Sequence, residues 1–151
     1  MPGTDRIQKR TTLKTPRARV WKALTDAAEF GKWFGAQFEG PFVPGATTRG
    51  RITIPNYDHL TIELFVERIE PESYFSYRWH PHAVDATVDY SKEPTTLVEF
   101  RLEQDGASTV LTITESGFDR VPPARRAQAF RMNNEGWDAQ ARNIEAHVTR
   151  A

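Results

Sequence analysis

The sequence predicts an α+β fold in which a curved antiparallel sheet grips one long C-terminal helix. Three observations lead there. Pro122-Pro123 opens a helical segment that can run to about Thr149, roughly 40 Å at the α-helical rise. Between residues 47 and 115 lie alternating apolar runs separated by turn residues, the pattern of sequential hairpins and not of βαβ units. The 151 residues suffice for one core and contain no linker, repeat or low-complexity tract, so residues 1–151 are read as a single domain.

The elements follow in order. Residues 6–14 read as a strand. Thr15-Pro16 then places an N-cap hydroxyl before a proline at the first helical position, where its missing N–H is harmless. The helix so begun carries Val20, Trp21 and Leu24 on one face. Asp26, with Glu29 three residues on, forms a capping-box-like start for a second short helix that ends after Trp33-Phe34 near Gly35. Strands are expected over residues 47–54, 60–69, 74–79, 95–102 and 108–115. Pro44-Gly45, Pro55-Asn56-Tyr57-Asp58, Pro71-Glu72-Ser73 and the hairpin turn Gln104-Asp105-Gly106-Ala107 punctuate them. Ile62, Leu64 and Val66 share a face, as do Val98, Phe100 and Leu102, and Leu111 and Ile113. About six or seven strands result.

The last helix is expected to turn Ala127, Phe130, Asn134, Trp137, Ala141, Ile144 and Val148 toward the sheet. Asn134 is the polar break in that stripe. A buried carboxamide needs partners, so it either orients a ligand or bonds nearby backbone. Asn133 lies at the edge of the same face. Gly136, inside the helix, has no evident reason in the sequence.

Composition excludes several functions. Lys plus Arg and Asp plus Glu number 20 each, for a net charge of zero. The basic residues are scattered, so nucleic acid is not an expected partner. With no cysteine there is no disulfide, thiol nucleophile or thiolate metal site. The first ten residues lack the apolar core of a signal peptide, and no stretch has the length of a membrane span, so a cytoplasmic location is expected. The aromatic residues (four Trp, four Tyr, nine Phe) are enough for both a core and an apolar pocket. Trp33 and Phe34 are candidates for the pocket entrance or for anchoring their helix. On the 74–79 strand, Phe75, Tyr77 and Trp79 share one face and Tyr74, Ser76 and Arg78 the other; the former set is the more apolar and is favoured for the pocket. Together with Phe130, Asn134 and Trp137 from the helix, these residues form the expected ligand site.

His80-Pro81-His82, with Asp85 and Asp89 nearby, lacks a third metal ligand at informative spacing, so neither a metal nor another cofactor is expected. Residues 81–93 read instead as a flap over the pocket mouth. Glu115-Ser116-Gly117 is not a nucleophile elbow, and no catalytic residue stands out, although His80 or Glu99 could serve as a pocket acid or base.

Val20-Trp21-Lys22-Ala23-Leu24-Thr25-Asp26 followed by Trp33-Phe34, the Glu70-Pro71 turn, Tyr77-Arg78-Trp79, and Gly136-Trp137 together resemble the family similar to the activator of heat-shock protein 90 ATPase, within the START-like (SRPBCC) superfamily. The resemblance spans residues 7–148. It implies a helix-grip fold with a cavity between sheet and helix, used in the superfamily for lipids, sterols, polyketides or plant hormones and in some members for cyclisation or hydrolysis. The expected function is binding of a small hydrophobic or aromatic molecule without catalysis. The alternatives are a cyclase- or hydrolase-type enzyme using the same cavity, and an interaction module like the chaperone activator. Co-chaperone members carry an additional N-terminal domain, whereas this sequence opens at the first strand, so a chaperone partner is not expected. Sheet edges and exposed aromatics permit a homodimer.

Overall fold

The computed structural model describes residues 6–83 and 87–149. Within them, period-two alternation builds seven strands: β1 (Arg6–Leu13), β2 (Ala36–Phe38), β3 (Thr47–Ile52), β4 (Thr61–Glu70), β5 (Tyr74–Trp79), β6 (Thr96–Asp105) and β7 (Ser108–Ser116). They form one antiparallel sheet in the order β1-β7-β6-β5-β4-β3-β2. Every neighbour from β2 to β7 is also a sequence neighbour, and β1 closes the far edge beside β7. A bulge between Val66 and Arg68 shifts the β4–β5 register and adds local twist. Helices α1 (Arg17–Thr25) and α2 (Ala27–Phe34) follow β1, and α3 (Pro123–Val148) ends the chain. The helix-grip architecture expected from the sequence is the one observed.

Local chemistry accounts for the helix ends. The Asp26 carboxylate accepts from the backbone N–H of Ala28 (3.0 Å) and Glu29 (3.1 Å), capping α2 as its sequence implies. Gly35 terminates α2 in the left-handed region at φ 92°. Gly31 is required by contact: a β-carbon there would lie 2.2 Å from the Ala36 carbonyl oxygen. Thr15 departs from expectation. Pro16 is the N-cap of α1, and no side chain caps it. The Thr15 hydroxyl instead donates to the Val148 carbonyl (3.3 Å), while the Thr15 carbonyl accepts from the Thr109 hydroxyl (2.7 Å). Thr15 therefore joins the start of α1 to the end of α3 and to β7.

The inner face of α3 also needs correction. Ala127 is exposed, and Ala129, Trp137, Ile144 and Val148 are the buried residues. Asn133 lies four residues before Trp137 and so one turn below it on the same face, ahead of Asn134. The sequence stripe was drawn through Ala127 and Asn134 by alternating spacings of three and four. Spacings of four from residue 129 to 137 carry the buried line instead. β2 and the 3-10 turn Phe118–Arg120 are further elements that the sequence reading did not anticipate; both are only three residues long, too short for a periodic signal.

Phe30 on α2 is the hub of the aromatic core. Its ring lies 4.4 Å from Trp33, 5.2 Å from Phe34, 5.3 Å from Phe42 and 6.2 Å from Tyr77, centroid to centroid. Beside Phe30 on the same helix, Glu29 bonds Arg19 of α1 (2.5 Å) and His147 of α3 (2.9 Å), tying three helices together. Burial pushes the Glu29 carboxyl up, but the His147 hydrogen bond and the Arg19 contact outweigh it and hold it below the usual carboxylate range.

Candidate functional site

β7 continues inward past its apolar residues. Thr109, Leu111, Ile113 and Glu115 alternate on one face, and Glu115 is 0% exposed. Its register partners are Val98 on β6 and Ile7 on β1, so the residue is flanked by a strand on each side. Four side chains from three elements donate to it. Trp79 Nε1 at the end of β5 and the Thr96 hydroxyl at the start of β6 reach Oε2, at 2.8 and 2.6 Å. Trp137 Nε1 on α3 reaches Oε1 at 2.8 Å, and Asn133 Nδ2, one turn earlier, lies 3.0 and 3.2 Å from the two oxygens. The carboxylate thus fastens α3 to the sheet.

None of these partners is a cation. Burial raises the Glu115 carboxyl above its ordinary value, while the bonds from Thr96, Trp79, Trp137 and Asn133 pull the other way without overcoming it. All four donors point at the oxygens, and both oxygens are fully engaged. This arrangement suits an anchored charge better than a mobile proton.

An aromatic shell surrounds the charge. Trp79 and Trp137 stack at 5.8 Å with 30° between their planes. Phe34 lies 5.8 Å from Trp79, Phe100 lies 5.8 Å from Trp137, and Tyr77 lies 5.4 Å from Trp79. Tyr77 is 0% exposed, and its hydroxyl has no hydrogen-bond partner among the described residues. Burial first, and the Glu115 charge second, hold its phenol well above the ordinary value, so the hydroxyl keeps its proton.

The expected site residues divide accordingly. Trp79 and Trp137 bond Glu115, Tyr77 lies against Trp79 beside it, and Phe34 packs on the outer side of this group against Trp79. Phe75 is on the same inner face of β5, fully buried, with its ring between Phe42 (5.5 Å) and Phe100 (5.9 Å). Trp33 donates through Nε1 to the Ala23 carbonyl (2.8 Å), which is the anchoring role for α1 against α2. Phe130 packs on Phe118 at 5.2 Å, beside the 3-10 turn. Asn134 is half-buried, and the carboxamide that reaches the polar centre belongs to Asn133. Glu99, considered as a pocket acid or base, is on the opposite face of the sheet, where it accepts from the Tyr74 hydroxyl (2.5 Å).

Glu115 and Thr96 have no place among the sequence-predicted site residues, and Asn133, expected at the edge of the face as a weaker case than Asn134, is the carboxamide that bonds Glu115. The signal for Glu115 was present: extending the Leu111–Ile113 alternation by one step of two places the carboxylate inward.

Arg125 at the start of α3 holds Pro81, Tyr90 and Glu93. Its guanidinium bonds Glu93 (2.8 Å) and the Pro81 carbonyl (2.8 Å) and lies 4.8 Å from the Tyr90 ring centre. His80 Nε2 is 3.0 Å from the Glu93 carbonyl oxygen. Asp85 lies outside the described residues, among which no group of three His, Asp or Glu could hold a metal. No helix among them is long and apolar enough to cross a membrane.

Two clefts open on the surface. One, of about 560 Å³, is lined by Glu39, Gly40, Pro41 and Val43 and by β3 and β4 residues including Arg49 and Phe65. The other, of about 850 Å³, lies between α2 and the segment that carries Phe38 and Phe42. Neither lies between the sheet and α3, where the side chains close on one another.

The sequence profile of the family described as "Activator of Hsp90 ATPase homolog 1-like protein" matches residues 14–149. None of the curated proteins matches the sequence. Among solved structures, protein MLL2253 from Mesorhizobium loti is 20% identical over 97% of this chain and 99% of its own, with a TM-score of 0.75. DynU16, a protein in the dynemicin biosynthetic locus, is 24% identical with a TM-score of 0.72; 95% of this chain is covered but only 47% of that one, so this chain spans about half of DynU16. The Aha1 dimer from Colwellia psychrerythraea is 17% identical over 95% of each chain, TM-score 0.70. At these identities the likeness carries the fold.

Proposed function

Because the chain belongs to the Activator of Hsp90 ATPase homolog 1-like family, we propose that it binds a small, largely apolar molecule at the junction of the sheet and α3 and does not transform it. One observation carries this reading: a fully buried polar centre, Glu115 and the unpartnered Tyr77 hydroxyl, set inside an aromatic shell. A plain packing core has no use for an orphaned hydroxyl beside a charge, whereas apolar binding sites carry a few convergent polar groups of this kind. Entry requires the rings to part, and α2, whose Phe34 packs on Trp79, is an element that borders them. The non-catalytic part of the reading is supported by the occupancy of both Glu115 oxygens.

The test is a thermal-shift screen with neutral aromatic and polyketide-like compounds. A ligand at one hundred times its dissociation constant adds about 2.7 kcal/mol, roughly 5–10 °C in a domain of this size. Absence of any stabilisation across such a library would overturn the reading.

One observation favours an enzymatic alternative: Glu115 and Tyr77 are two titratable groups, both displaced upward, in one buried place. It requires Glu115 to release a donor before it can take a proton. Turnover of a screened ligand, lost in Glu115→Gln, would establish it over simple binding. A chaperone-directed role rests on the family description alone, and dimerisation is supported only by the Colwellia relative and by the free edges of β1 and β2.

A further inference from the structure

Among the described residues, the buried side-chain atoms without a hydrogen bond are Arg17 Nε, Arg125 Nη2 and the Tyr77 hydroxyl; the arginines have ion-pair partners, and the Tyr77 hydroxyl does not. Glu115, the nearest candidate by charge, already has Trp79, Thr96, Asn133 and Trp137 on its two oxygens. The aromatic rings next to Tyr77 are Phe30, Phe75, Trp79 and Phe100, whose side chains have no acceptor to offer. Buried hydroxyls without partners are rare in native structures and need a reason. Removing the hydroxyl while keeping the ring would leave every described hydrogen bond in place.

We propose that the Tyr77 hydroxyl is the hydrogen-bond donor for a bound ligand, and that the ligand is a neutral aromatic or polycyclic molecule bearing a carbonyl-type oxygen acceptor, not a carboxylic acid. The inference rests on the ligand-binding reading of the same site. Three properties determine the class. The phenol keeps its proton in this surrounding, so beside its oxygen lone pairs it has an unused donor, and a ligand acceptor is what satisfies that donor. The rings of Tyr77, Trp79, Trp137 and Phe100 provide flat apolar faces, which favour an aromatic body. The Glu115 carboxylate has only neutral partners, so a second anion at this depth meets an uncompensated like charge in a low-dielectric interior. Fatty acids and aryl carboxylates are therefore rejected, and ketones, quinones and lactones accepted.

Three probes of one size decide it: acetophenone, ethylbenzene and benzoate, titrated into the wild type and Tyr77→Phe and followed by tryptophan fluorescence and calorimetry. Acetophenone is expected to bind the wild type about ten-fold more tightly than ethylbenzene, the value of one well-made buried hydrogen bond. Benzoate is expected to bind more weakly than either. In Tyr77→Phe the acetophenone-to-ethylbenzene ratio falls to near one, while the melting temperature stays at or above that of the wild type. A ratio near one in both proteins, with binding intact, overturns the donor role and leaves the ligand-binding reading standing. Benzoate binding as tightly as acetophenone overturns the exclusion of acids. No binding of any probe to either protein overturns the binding reading and this inference together. A melting temperature several degrees lower in Tyr77→Phe shows that the hydroxyl has a structural partner, and the inference fails on that ground.

Discussion

Replacing Glu115 by leucine removes the group on which two strands and α3 converge, and the cost can be worked from its partners. Trp79, Thr96, Asn133 and Trp137 each lose their acceptor. An orphaned buried donor costs about 1–3 kcal/mol, so four of them at the low end give about 4 kcal/mol. Domains of this kind are stable by about 5–15 kcal/mol in total, which leaves the leucine variant marginal. Glutamine is milder. Its amide oxygen can stay with Trp79 and Thr96, but its amide N–H2 then faces the Trp137 indole N–H, so one donor is orphaned and the loss is about 1–3 kcal/mol. Urea unfolding followed by tryptophan fluorescence should rank wild type, Glu115→Gln and Glu115→Leu in that order at neutral pH, with equal denaturant slopes. The opposite result is physically reasonable, because a buried charge without a cation is itself unfavourable and apolar replacement can stabilise. A leucine variant as stable as the wild type would refute the claim that the carboxylate fastens helix to sheet. The pH dependence adds a check of sign. The Glu115 carboxyl is raised on folding, so its contribution is full below the unfolded value near 4.5 and declines as pH rises toward the folded value. The stability gap between wild type and Glu115→Gln should therefore narrow from pH 4.5 upward.

Glu29 predicts the reverse. Its carboxyl is lowered on folding, so its contribution is present above about pH 4.5 and disappears as pH falls through the folded value; acid titration of Glu29→Gln should lack that part of the wild-type loss. Arg125→Gln removes the bonds to Glu93 and Pro81, and amide exchange over residues 87–93 should accelerate, with little change in the strands. Gly136 sits inside α3 with nothing within 4 Å of where a β-carbon would be. Gly136→Ala should accordingly stabilise the protein by about 0.5–1 kcal/mol in thermal unfolding; a loss would mean that the helix needs glycine there.

The fold was largely legible because its signals are periodic and long. β5 was bounded as observed, and α3 runs from Pro123 to Val148 within the span that the proline start and apolar stripe define. The two short elements, β2 and the 3-10 turn, offer no repeat to detect. The site was half legible. Phe34, Tyr77, Trp79 and Trp137 could be grouped from strand faces and helix spacing. Their centre could not, since an acidic residue at a strand end reads as solvated unless its alternation with Leu111 and Ile113 is followed through. Asn133 was passed over for Asn134 because one residue on a helix turns the side chain by about 100°, and only contact with the sheet decides which carboxamide reaches inward. Thr96 is silent in sequence, being one threonine among many. Trp33 and Phe130 carry the same chemistry as the site aromatics but meet Ala23 and Phe118 instead, a matter of depth that periodicity does not encode.

A ligand in the proposed site would lie against Trp79 and Trp137 and away from the other two tryptophans, Trp21 and Trp33. Indole N–H resonances in a nitrogen-15-labelled sample report on all four at once during titration with acetophenone. The expected result is progressive, saturable shifts of the Trp79 and Trp137 signals as their bonds to Glu115 adjust, with Trp21 still and Trp33 moving little. Saturable shifts confined to Trp21 and Trp33, or no shift of any indole at millimolar probe, would contradict a binding site between the sheet and α3.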